Sequence, residues 1–167
     1  MTQDRYLTEH TRFIHAFFRR YAGILVIGLV IAVLAILLWE HPAAQGLGGT
    51  LTILWVISLS RCIMHLQREG KHCRSLPDHL ERERLHVEFD RTTLQRERVH
   101  REKNYFQKAF LVTMAALVIL LLAGTKNNLT GVVLAFLIVT TIEQVALVIL
   151  DQGLREYAYQ LEKRMGD

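Results

Sequence analysis

The sequence predicts an all-α membrane protein with four transmembrane helices, both termini in the cytosol, and a long charged cytosolic helix continuous with the third span. Three observations predict it. First, hydrophobic residues make up 51% of the 167-residue chain and charged residues 22%, yet the two populations fall into separate blocks. Second, four apolar blocks, residues 21–39, 50–66, 105–123 and 129–150, approach the roughly 20 residues a helix needs to cross roughly 30 Å of hydrocarbon. Third, residues 68–103 hold ten Lys or Arg and eight Asp or Glu, a density that cannot enter a bilayer. Helix is the default for each span, because an apolar segment in lipid must satisfy its own backbone hydrogen bonds.

Residues 1–20 carry Arg5, Arg12, Arg19 and Arg20, with Leu7, Ile14, Phe17, Phe18 and Tyr21 recurring near helical spacing. That pattern predicts an interfacial amphipathic helix lying on the membrane. Residues 21–66 form the first transmembrane hairpin. Its first span is read as uncleaved, since Asp4 and Glu9 precede it and Pro42-Ala43-Ala44 is only a loose cleavage site. Trp39 marks an interface, Glu40-His41-Pro42 stops the helix, and the connection runs to Gly49. Residues 67–103 are the charged loop and helix. Residues 104–150 form the second hairpin, closed by Gly124 and turning over Thr125–Asn128. In residues 151–167, Leu154, Tyr157, Leu161 and Met165 predict a short amphipathic tail that docks on the cytosolic parts or on headgroups.

The basic residues set the orientation. Seventeen lie in the N-terminal segment, the central stretch and the tail, and only Lys126 lies in a short turn. The positive-inside rule then puts both termini and the centre in the cytosol. The four-span layout resembles small bacterial inner-membrane proteins, including the small subunits of tripartite transporters, although the tryptophan–glutamate–glutamate pattern of those subunits is missing. The resemblance implies the inner (plasma) membrane of a bacterium. Cys62 and Cys73 make no disulfide framework and are expected reduced on the cytosolic side. Asn128-Leu129-Thr130 matches a glycosylation sequon but lies too near the membrane to serve as an acceptor.

Within the central stretch, Gly70 and Pro77 are expected to break the helix leaving the second span. Ser75 then serves as N-cap and Asp78 as N3 of a new helix from about residue 76 to 123. Pairs such as Glu97–Arg101 and Glu88–Arg91 support its exposed half by a few tenths of a kcal/mol each, on the order of 0.3. His79, Glu83, His86, Asp90, Glu97 and His100 fall on one slowly drifting stripe. Three readings of that stripe stand side by side. It is a solvated, ion-paired face; or an interface between copies, where histidines gate by pH; or, through its Glu-x-x-His pairs, part of a zinc or iron site needing a second helix. The flanking arginines speak against a metal. The balanced charge speaks against nucleic acid, which wants unbalanced positive charge, and favours anionic lipid headgroups instead.

Inside the spans, Arg61 lies twelve residues after Gly49 and Glu143 twelve after Gly131. Both spans run outside to inside, so the two charges sit at similar depth. An unpaired charge there costs about 2.5–3.5 kcal/mol, so Arg61 and Glu143 are expected to pair across adjacent helices, with Ser58, Ser60, Thr140, Thr141 and Gln144 extending a polar seam. The seam reads as a register-fixing ion pair, as a path or gate for ions or protons, or as snorkelling without contact. The matched spacing also hints at two parallel repeats.

No nucleophile elbow, phosphate loop or complete metal motif occurs, so the sequence predicts no enzyme, no catalytic residue, no cofactor and no metal. Two functions are expected. The first is a small membrane protein that oligomerises to form or gate an ion-conducting path. The second is a non-conducting subunit or adaptor of a larger secretion, transport or defence assembly, docking a protein partner through its cytosolic helix.

Overall fold

A computed structural model describes residues 3–38, 40–75, 82–125 and 127–166. They form four helices: α1 Gln3–Leu38, α2 Pro42–Ser75, α3 Arg82–Leu122 and α4 Asn128–Gly166. All four are long and apolar enough to cross a membrane, as an integral membrane protein requires. At about 1.5 Å per residue they run about 50–60 Å, well beyond the roughly 30 Å of a hydrocarbon core. Each helix therefore has an apolar half and a charged half. The two termini, the last turns of α2 and the first turns of α3 share one end of the bundle, called here the charged end. The α1–α2 and α3–α4 connections lie at the opposite, turn end.

Local chemistry sets the ends. His41 caps α2, its Nδ1 accepting the Ala43 amide at 3.2 Å, and Pro42 takes the first helical position, where its missing N–H costs nothing. Residues 42–49, expected as loop, are thus the first two turns of α2. Gly124, with φ of 67°, ends α3 in a Schellman motif: the Thr125 amide reaches the Leu120 carbonyl and the Gly124 amide reaches the Leu121 carbonyl. Asn127 caps α4 through its side-chain oxygen and the Thr130 amide.

Three expectations about segment boundaries change. Residues 3–20 are not a separate surface helix but the first turns of α1, and their aromatic face is covered by protein: Ile14, Phe18 and Tyr21 are buried. Gly70 does not break α2, which continues to Ser75; one glycine costs a helix only about 1 kcal/mol. Ser75 therefore ends α2 instead of capping α3, and Leu76, Pro77, Asp78 and His79 lie outside the described residues. The tail is continuous with α4, with Leu154, Tyr157 and Leu161 buried in the bundle.

Helix α4 is the centre of the bundle. It packs on α3, on α2 and, less extensively, on α1, while α1 packs on α2. The α2 and α3 backbones nowhere approach within 8 Å among the described residues. At the turn end, α2 and α4 cross backbone to backbone: Gly131 lies against Ala43 and Leu47, and Gly46 against Asn128. Gly49, the supposed counterpart of Gly131, has open space around it, so the two glycines sit in different surroundings. Ile27, Leu37, Ile53, Val112, Ile119 and Val145 are among the large apolar residues left exposed, an outward-facing band suited to lipid.

Candidate functional site

Toward the charged end, the space between α2 and α3 holds a half-open cavity of about 780 Å³. All four helices contribute to it. Helix α1 brings Phe17, Phe18 and Tyr21; α2 brings Ser58, Arg61, Cys62 and His65; α3 brings Arg91, Arg98 and Glu102; α4 brings Glu143, Leu147 and Leu150. The apolar residues of α1 and α4 and the charged residues of α2 and α3 make it amphipathic.

Glu143 sits at the apolar side of this cavity and is only 8% exposed. One carboxylate oxygen accepts a hydrogen bond from the Ser58 hydroxyl at 2.6 Å, which ties α4 to α2. The Tyr21 hydroxyl is buried beside Glu143, close enough to interact with its carboxylate, though no hydrogen bond of good geometry forms. The buried Cys62 thiol bonds the Phe18 carbonyl at 3.4 Å, holding α2 on α1. Phe18 in turn stacks on His65, ring centroids 5.6 Å apart.

The expected Arg61–Glu143 pair takes a different form. Arg61 lines the same cavity, but its guanidinium bonds Glu102 on α3 at 3.1 Å. Glu143 has no Lys, Arg or His within ion-pair distance among the described residues. The reason is reach: an arginine in a half-exposed position extends toward the charged end and finds a carboxylate on α3, so the buried acid is left with hydroxyls. Of the rest of the seam, Ser58 faces Glu143. Ser60 and Thr141 are exposed and bond the Val56 and Leu137 carbonyls of their own helices. Thr140 is buried but likewise bonds back to Phe136. The amide nitrogen of Gln144 is buried without a partner, and Gln144 does not line the cavity.

Two further charge clusters join helices. Glu69 receives Arg91 at 3.4 Å and Gln95 at 3.1 Å, bridging the gap between α2 and α3. Arg91 also meets Glu88 at 3.5 Å, the pair expected from their spacing. Asp151 on α4, 8% exposed, accepts a hydrogen bond from Lys103 at 3.5 Å and forms an ion pair with Arg96 at 3.6 Å. The histidine–acid stripe is not gathered into a site. His86, Asp90, Glu97 and His100 are exposed, with Asp90 at the cavity rim. Glu83 lies on α3 with its side chain not described, and His79 falls outside the described residues. Among the described residues no group of three His, Cys, Asp or Glu is placed to hold a metal ion.

Sequence reasoning missed Tyr21, Cys62, Glu69, Glu102 and Asp151. Glu102 and Glu69 were hidden among many carboxylates of the charged stretch. Tyr21 read as an interface aromatic, and nothing in its spacing pointed to Glu143. Compared with known protein families, characterised proteins and solved structures, the chain shows no match.

Proposed function

We propose that the protein is an integral protein of a bacterial inner membrane, with both termini and the charged end in the cytosol, that self-associates to form or gate an ion path. The cavity is its cytosolic vestibule. The observation that carries this reading is a buried carboxylate, Glu143, facing a water-sized-to-ligand-sized space in an apolar helix half without a cationic partner. Such intramembrane acids are costly and mark ion or proton pathways. The close α2–α4 crossing at the turn end supports a path that continues between copies and not through one chain. The apolar half of α3, which packs least and exposes Val112 and Ile119, is the surface offered for self-association.

The test is the mass of the purified complex in detergent, followed by ion flux from liposomes at two pH values. A multimer whose flux falls about tenfold or more in Glu143→Gln supports the reading. A monomer with no flux above empty liposomes overturns it.

A second reading has its own observation. His86, Asp90, Glu97 and His100 face outward from α3, as expected of an adaptor that docks a protein partner through this stripe. Crosslinking from these positions separates the two: contacts between copies favour the channel, and contacts to a different chain favour the adaptor.

A further inference from the structure

The inner end of the cavity is chemically incomplete. The Glu143 carboxylate has one hydroxyl donor, Ser58, and no cation at ion-pair distance among the described residues. A buried charge of this kind is costly until it is paired. Tyr21, nine-tenths buried, lines the same space, its hydroxyl close enough to interact with the Glu143 carboxylate but without a hydrogen bond of good geometry. Phe17 and Phe18 form an aromatic wall beside it, set edge to face at 5.4 Å, and Leu147 and Leu150 close the α4 side. A volume of about 780 Å³ lies within the roughly 300–1,000 Å³ of small-molecule sites, which are mostly apolar with a few convergent polar groups.

We propose that this cavity binds an organic monocation, an ammonium carrying apolar substituents, with its charge against Glu143, Ser58 and Tyr21 and its substituents on Phe17, Phe18 and Leu147. The carboxylate supplies the counter-charge and the aromatic faces supply cation–π attraction. Of the four arginines that line the cavity, Arg61 is held by Glu102 and Arg91 by Glu69 and Glu88, while Arg68 and Arg98 share the lining with the Asp90 carboxylate. A bare alkali ion would leave most of the volume and the aromatic wall unused. The inference shares the cavity with the ion-path reading but does not require conduction.

The experiment is equilibrium binding of benzyltrimethylammonium to the full chain in detergent at constant ionic strength, with benzenesulfonate and sodium chloride as parallel titrants. One cation per chain is expected to bind, with benzenesulfonate inert and sodium not competing. Glu143→Gln is expected to weaken binding by about tenfold or more and Tyr21→Phe by about threefold, with Tyr159→Ala, an exposed position that does not line the cavity, changing it by less than about twofold. Equal binding of the anion, competition by sodium, or unchanged affinity in Glu143→Gln overturns the proposal. Should Glu143→Gln fail to yield monodisperse protein, the wild-type preference for cation over anion decides alone. Flux without ammonium binding sinks this inference and leaves the ion path standing; binding without flux does the reverse.

Discussion

At the turn end Gly131 rests on the backbone of Ala43 and Leu47 and Gly46 on that of Asn128. At the charged end the described residues of α2 and α3 meet through side chains, Arg61 with Glu102 and Glu69 with Arg91 and Gln95. The contrast follows from the solvent each end is built for. Lipid gives helices no hydrophobic reason to associate, so van der Waals contact must do it, and small residues let backbones approach. Where the halves leave the apolar zone, long charged side chains bridge a wider gap, and the helices separate enough to leave a cavity. Helix α4 belongs to both regimes. It is tight against α2 at Gly131, bonded to Ser58 at Glu143, and joined to α3 through Asp151.

The largest effect is expected where the backbones touch. A Cβ at position 131 would collide with the Ala43 carbonyl, which no rotamer change relieves. Gly131→Leu is expected to abolish monodisperse protein and Gly131→Ala to cost about 3 kcal/mol. Gly49→Ala, facing open space, should behave as wild type. Thermal unfolding in detergent checks this, and equal tolerance at positions 131 and 49 would break the comparison.

A smaller effect is expected at the charged end. Asp151→Asn leaves Arg96 and Lys103 without their shared carboxylate and should cost about 1–3 kcal/mol, since charged hydrogen bonds in a largely buried site are involved. Arg61→Ala, removing a pair exposed by 41% and 44%, should cost no more than about 1 kcal/mol. The same unfolding assay ranks the two. A larger loss for Arg61→Ala would mean that the α2–α3 bridge, not α4, holds the charged end together.

The most localised effect is a pH dependence. His10 stacks on Tyr157 with ring centroids 3.5 Å apart, and burial pushes its imidazole pKa down to about 4 from 6.5. Between those values the detached segment binds protons more readily than the docked one, so docking weakens as pH falls. Protection factors of the first turns of α1, corrected for intrinsic exchange at each pH, should therefore fall between pH 6.5 and 4, and His10→Phe should flatten that response. An unchanged profile in His10→Phe would remove His10 as the cause.

Much of this was legible in the sequence because hydropathy accumulates along contiguous residues. Four apolar helices, the stop at Gly124, the Glu88–Arg91 pair and the presence of Arg61 and Glu143 at one cavity all follow from spacing along one chain. The helix boundaries were less legible. Pro42 read as a stop although it opens α2, and Gly70 read as a break although α2 passes through it, because the same residues serve either purpose until neighbours supply the packing. The amphipathic faces at Ile14–Phe18 and Leu154–Leu161 were visible in the pattern, but what covers them was not: they pack within the bundle.

By itself, then, the sequence determined which segments are apolar helices of membrane length, and that charge collects at one end of them. Tertiary structure alone decided that α4 stands between its neighbours, that Arg61 reaches Glu102, and that Glu143 is left with Ser58 and the nearby Tyr21 hydroxyl. Position along a helix sets a residue's height and its angle around that helix's own axis. Which helix occupies the facing direction depends on how close two backbones can come, and at Gly131 and Gly46 that is settled by atoms on two different helices.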